Sequence, residues 1–235
     1  GQAFVIKHNY EITYPKDVPV IIPHLEYPLG EAPIVLDEKG QSLLHLALQL
    51  GEKANTLVAI TADHRLVLTG VSKQVSFIDE SVTLEKTAGE LSLTPQDSFN
   101  QLLLDREQHT LYATDTIGQI WNIDVTDKTK PNVIQKSLVV EKGQKITSVT
   151  FLAGDISLLI GDSQGRVTQW FPVRSKNNVL QLTKIREFHD QHAPITQIVS
   201  EERRKGFAAA DETGAVGIYH ATAHRTLLIA PIAKV

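Results

Sequence analysis

The 235-residue chain contains no cysteine. Disulfides, thiolate metal sites and cysteine nucleophiles are therefore excluded together. The compartment stays open, because a cysteine-free domain folds in reducing and oxidising surroundings alike. Long hydrophobic runs are also missing. No segment approaches the roughly 18 consecutive apolar residues of a membrane-spanning helix. Stretches free of Asp, Glu, Lys and Arg, such as Gln41–Gly51 and Gly214–His224, still carry polar groups. The chain has no strong excess of charge of either sign. A net charge of −4 gives no global attraction to nucleic acid or anionic membrane. The opening GQAFVIKHNY lacks the basic and apolar regions of a signal peptide and does not begin with Met, which reads as a processed form or a fragment. No G-x-x-x-x-G-K-[ST], G-x-G-x-x-G or H-E-x-x-H motif is found.

What is present is a repeat. TLYATDTIGQIWNID (110–124), SLLIGDSQGRVTQWF (157–171) and GFAAADETGAVGIYH (206–220) share one pattern. A short apolar run leads to Asp, two variable residues and Gly, and then to a β-rich run ending in an aromatic. The D-x-x-G elements are Asp115/Gly118, Asp162/Gly165 and Asp211/Gly214, with glycines 47 and 49 residues apart. A weaker copy, TLVAITADHRLVLTG (56–70), has Thr61 and His64 in place of Asp and Gly. Strand-like stretches precede each copy (43–50, 100–105, 146–152, 195–199) and follow it (81–86, 132–140, 179–185, 225–230).

Each copy thus predicts four antiparallel strands, with D-x-x-G as the hairpin between the second and third. Gly supplies positive φ at no steric cost, and Asp bonds the backbone N–H groups that follow it. The aromatics Trp121, Trp170 and Tyr219 are large enough to fill space between adjacent sheets. A four-stranded unit repeating every 40–50 residues, with an aromatic at a fixed place, is the signature of a β-propeller blade. The expectation is an all-β, WD-repeat-like propeller of about four to six blades, incomplete within this chain if strands from elsewhere close the ring. One domain spans 1–235, with blades at about 43–94, 99–141, 146–188 and 195–230 and an insertion near Ser72–Glu80. Residues 1–40, with FVIKH, EITY and VPVII, supply N-terminal strands for part of a further blade.

Three features invite chemical readings. Gly161-Asp162-Ser163-Gln164-Gly165 matches G-x-S-x-G, the nucleophile elbow of serine hydrolases. An elbow needs a helix after the turn, whereas Arg166–Phe171 reads as a strand, and the sister turns carry Thr116 and Glu212 in place of the serine. Ser163 is therefore expected to be a hairpin residue, and no catalytic residue is assigned. His189/His192 and His220/His224 have spacings seen in metal sites, but no acidic or cysteine partner lies near them, so no metal and no cofactor is expected. Glu201–Phe207, EERRKGF, is the densest charge cluster. Its charges sum to only +1, which makes it a poor trap for nucleic acid. Lying between two strands of the last blade, it reads most plainly as a solvated hairpin; as a rim loop it also suits partner binding, and Arg203, Arg204 and Lys205 are the candidate contacts.

Beyond the generic blade, SLLIGDSQGRVTQWFPVR, IREFHDQHAPITQIVSEERRKGFAAADETGAVGIYHATAHRTLL and TADHRLVL resemble the WD-repeat-like segment of long bacterial phosphate ABC transporter permeases of the PstC type. The likeness is concentrated in about 100–228. His64 departs from it, because that family has glycine in the turn. The resemblance implies an extracytoplasmic domain inserted after a first transmembrane helix, at the bacterial inner membrane and facing the periplasm. Translocation helices and ATP site would lie elsewhere. The implied partners are the periplasmic phosphate-binding protein and other transporter subunits, with membrane contact only through helices outside this chain. The residues alone leave other readings open. These are a general interaction scaffold unrelated to phosphate, an enzyme or cofactor-binding propeller with a funnel site, and direct phosphate binding.

Overall fold

A computed structural model describes residues 1–3, 11–14, 19, 22–26, 34–51, 54–75, 82–94, 98–176, 178, 180–189 and 191–231. Short strands come first: β1 (Gln2–Ala3), β2 (Glu11–Thr13), β3 (His24–Glu26) and β4 (Ile34–Val35). Four sheets of four strands follow. The first holds β5 (Leu43–Leu50), β6 (Ala54–Thr61), β7 (Arg65–Val75) and β8 (Val82–Ser92). The second holds β9 (Phe99–Leu104), β10 (Thr110–Asp115), β11 (Gln119–Asp124) and β12 (Asn132–Leu138). The third holds β13 (Ile146–Phe151), β14 (Leu158–Asp162), β15 (Val167–Arg174) and β16 (Leu180–Phe188). The fourth holds β17 (Ile195–Ser200), β18 (Gly206–Asp211), β19 (Ala215–His220) and β20 (Arg225–Pro231). In every sheet the strands pair antiparallel in chain order, and β5, β9, β13 and β17 are neighbours in succession. This is a β-propeller in which each sheet is a blade.

Burial explains the composition of the strands. A second strand is covered on both faces by adjoining blades, so its residues are apolar or small almost without a break. β14 (LLIGD) is buried throughout, and β10 (TLYATD) at all but its first residue. A fourth strand lies at the rim and keeps the period of two, as β12 does with alternating exposed and half-buried residues. The core is divided among the joints. Val58, Leu66 and Leu68 of the first blade pack with Leu104, Leu111 and Trp121 of the second. Tyr112 and Ile120 of the second pack with Ile146, Phe151 and Leu158 of the third. Leu159 and Val167 of the third pack with Ile195, Ile198 and Tyr219 of the fourth.

The aromatics lie in the joint with the preceding blade, but not at one fixed place. Trp121 follows its turn glycine by three residues, Trp170 and Tyr219 by five. Side chains two residues apart on a strand share a face, so all three reach the same kind of joint. The segment expected as an insertion at Ser72–Glu80 is in part strand: β7 continues to Val75 and pairs with Val82 of β8. Residues 76–80 lie outside the described ones, as does FVIKH (4–8) and most of VPVII (18–22). Among the described residues, 1–40 form two two-stranded sheets, β1 with β4 and β2 with β3, and no four-stranded blade. Ala3 and Leu36 pack against Leu57, Ala59 and Val67 of the first blade.

Candidate interaction surface

The turns between second and third strands gather at one end of the blades. Asp115 Oδ1 accepts from Ile117 N at 3.1 Å and Gln119 N at 2.8 Å. Asp162 Oδ1 accepts from Gln164 N (2.8 Å) and Arg166 N (3.0 Å), and Asp211 Oδ1 from Thr213 N (2.9 Å) and Ala215 N (3.1 Å). Gly118, Gly165 and Gly214 have φ of 88°, 85° and 83°. The first blade makes the same turn with other residues. Thr61 Oγ1 accepts from Arg65 N at 3.1 Å, and His64 takes φ 59°. Threonine and histidine there preserve the geometry, with the backbone cost of a left-handed non-glycine residue.

Ser163 is tied to the loop that joins the second and third blades. Its Oγ donates to Gln144 Oε1 at 2.8 Å and accepts from Lys145 N at 3.1 Å. The chain continues as β15, not as a helix, and no histidine is among its partners in the described residues. Arg166 beside it donates to Asp162 Oδ2 at 2.9 Å and pairs with Glu141, whose carboxylate its guanidinium holds below the usual range. His189 and His224 both meet Glu187, while His220 bonds within its own turn. His189 faces Glu187 at 2.8 Å, His224 Nε2 lies 2.9 Å from Glu187 O at a turn of φ 50°, and His220 Nδ1 accepts from Ala223 N. Among the described residues, no three His, Asp or Glu are grouped to hold a metal.

At the opposite end, the hairpins between first and second strands converge. Residues from all four blades enclose a cavity of about 450 Å³ there. Gln49 comes from the end of β5, Arg106 from the β9–β10 turn, Asp155 from the β13–β14 turn, and Glu201, Glu202 and Arg203 from the β17–β18 turn. Propeller topology brings them together, since every first hairpin opens toward the same end. The expected contacts part company here. Arg203 lines the cavity, whereas Arg204 is exposed beside Glu201 at 3.8 Å. The Lys205 ammonium donates to the Ala153 carbonyl, so it ties the fourth blade to the third. The cavity also contains Arg106 and Asp155, which the sequence reading missed. The available signal was positional, because DREQ (105–108) occupies in the second blade the hairpin that EERRK occupies in the fourth. Asp155 holds φ 52°, a left-handed turn that aspartate, with its short polar side chain, tolerates better than most residues.

No family model and no curated protein matches the chain. Among solved structures it is similar to the β-propeller domain of Myceliophteria thermophila Cps50 (Swd1), with a TM-score of 0.55 at 14% sequence identity. The similarity covers 93% of this chain and 65% of that one, so the chain spans less than two thirds of the length of its structural relative. At this identity the likeness carries the fold alone, and with the recurring turns it makes this chain a WD-repeat-like β-propeller.

Proposed function

We propose that this propeller is a non-catalytic protein-interaction module that receives a charged segment of its partner at the four-hairpin cavity. The observation that carries the reading is the mixed charge there: Arg106 and Arg203 stand beside Asp155, Glu201 and Glu202, on turns held by four rigid blades. Rigid blades let loops present charge without ordering cost, and opposite charges on a partner speed encounter and set register. The test is proximity labelling in the native cell, comparing wild type with an Arg106→Glu/Arg203→Glu variant. Loss of specific partners at unchanged melting temperature is the expected result. An unchanged set of partners removes the cavity from the proposal.

A narrower form places the chain at the bacterial inner membrane, on the periplasmic side, as a domain of a phosphate ABC importer permease. It rests on the GDSQGRVTQWF and EERRKGF runs and not on the fold. In that form the partner is the periplasmic phosphate-binding protein. Calorimetric titration of that protein into wild type and an Arg203→Ala/Arg204→Ala/Lys205→Ala variant tests it. Absence of binding to wild type leaves the general module standing and removes the phosphate reading.

A further inference from the structure

Buried Arg65 and half-buried Arg166 are both answered by carboxylates. Arg65 meets Asp37, Asp63 and Glu90, and Arg166 meets Asp162 and Glu141. Lys128, half-buried in the connection between β11 and β12, differs from both. Its ammonium donates to Gln108 O at 2.5 Å and to Val125 O at 2.6 Å, and no described carboxylate forms an ion pair with it. Burial lowers its pKa, and Asp105, Asp124 and Asp127 offset this only from a distance. An ammonium carries three protons, so one is left without an acceptor among the described residues. A cation withdrawn from water without an anionic partner is a costly arrangement.

Lys128 lines a cavity of about 260 Å³ in the joint between the first and second blades. Four hydroxyls line it as well: Thr56 of β6, Ser72 of β7, Thr87 of β8, and Thr126 just past β11. Thr56 gives its proton to Gln108 Oε1 at 2.7 Å, while the hydroxyls of Ser72 and Thr126 have no hydrogen bond among the described residues. Space beside the lysine is kept by Gly70. A Cβ added there would stand 2.7 Å from Thr87 Oγ1 and 3.0 Å from Lys128 Cγ. Gly70 is not in the left-handed region, so room and not backbone geometry is what glycine supplies. The exposed Glu107 brings one carboxylate to the same lining.

We propose that this cavity binds a small amino or hydroxy acid, with the ligand carboxylate on the Lys128 ammonium and its amino or hydroxyl group among the threonine and serine hydroxyls and Glu107. The free ammonium proton offers a charge-assisted hydrogen bond, and a carboxylate there answers the charge that burial leaves alone. Glu107 accepts from an N–H or O–H of the ligand and disfavours multiply charged anions at the same lining. The cavity is smaller than the roughly 300–1,000 Å³ of sites for drug-sized molecules, which sets the size of the ligand. It shares no lining residue with the four-hairpin cavity, so it stands apart from the interaction reading. A ligand here touches both blades and therefore stabilises their joint.

Calorimetric titration of the purified chain with L-serine, D-glycerate and L-lactate, and separately with inorganic phosphate and sulfate, tests the proposal. At least one of the three carboxylates binds wild type at a single site and raises its melting temperature, and it binds more tightly than phosphate or sulfate. Lys128→Met weakens that binding by about 10- to 100-fold, because a hydrogen bond to a charged group is lost. Lys128→Met also gives up two bonds to carbonyls, so Thr126→Val supplies a second reading. Thr126 is exposed, so this variant keeps the wild-type melting temperature without ligand and still binds the carboxylate less tightly. Absence of binding by all three carboxylates overturns the proposal. So does an affinity that neither variant changes. Tighter binding of phosphate or sulfate overturns it too, since that pattern marks a site for anions in general.

Discussion

Replacing Gly165 and Gly143 by alanine separates two demands that a propeller turn makes on glycine. Both residues have positive φ, 85° and 87°. An L residue in that conformation costs about 1–2 kcal/mol, offset in part by about 0.4–1 kcal/mol from the less flexible unfolded chain. Around Gly143 nothing lies within 4 Å of an added Cβ, so Gly143→Ala costs only this difference, about 1 kcal/mol. At Gly165 the same Cβ would stand 2.7 Å from both Ala193 O and Gln191 O, which are backbone atoms of the loop between the third and fourth blades. Relief requires that loop to move, and overpacking of this kind costs about 1–3 kcal/mol more. The expected total is about 3 kcal/mol for Gly165→Ala. In a domain of this size 1 kcal/mol shifts the melting temperature by about 2–4 °C. Thermal unfolding followed by circular dichroism should therefore show a loss of about 2–4 °C for Gly143→Ala and about 6–12 °C for Gly165→Ala. Equal losses would refute the close approach of the turn to the interblade loop and leave φ as the only requirement.

Three further outcomes follow from named contacts. Gln108 bridges the first two blades, accepting from Thr56 Oγ1 at 2.7 Å and donating to Ala54 O at 2.9 Å; Gln108→Ala strands the buried threonine hydroxyl and should cost about 2 kcal/mol in urea unfolding. Arg65 donates to Asp37 at 2.9 Å, which holds the Asp37 carboxyl at about 2. A carboxylate with a depressed pKa stabilises the fold above its unfolded value, near 3.9, and loses that contribution as pH falls through the folded value. Melting temperatures of wild type and Asp37→Asn should therefore differ at neutral pH and converge between about pH 4 and pH 2. Ser163→Ala removes two hydrogen bonds to the 144–145 loop and should cost about 1 kcal/mol of stability without altering any partner affinity measured at the far cavity.

The propeller was legible in the chain because its turns carry local physics. Asp and Gly at a fixed spacing satisfy a hairpin's own N–H groups and its positive φ, and that requirement holds whatever the blade packs against. The same local rule identified GDSQG as a hairpin, since a serine two residues before a turn glycine lacks the following helix that would raise it as a nucleophile. The first blade was harder to read, because Thr61 and His64 make the turn with a weaker acceptor and a strained backbone. β5, with Leu44, Leu46, Leu48 and Leu50 exposed, looks in sequence like any half-buried strand.

By itself the sequence determined the strand count per repeat and the hairpin positions, since each depends on residues within one blade. Only the tertiary structure decided which charges meet at the cavity. Arg106, Asp155 and Arg203 lie about 50 residues apart in the chain and converge because successive blades point their first hairpins to the same end. It also decided that Lys205 braces Ala153 while Arg203 faces the cavity, and that Ile218, four residues past Gly214, is exposed where Leu68, four past His64, is buried. Burial against a neighbouring blade is a property of the stacking, and two strands with the same alternation differ only in whether that neighbour is there.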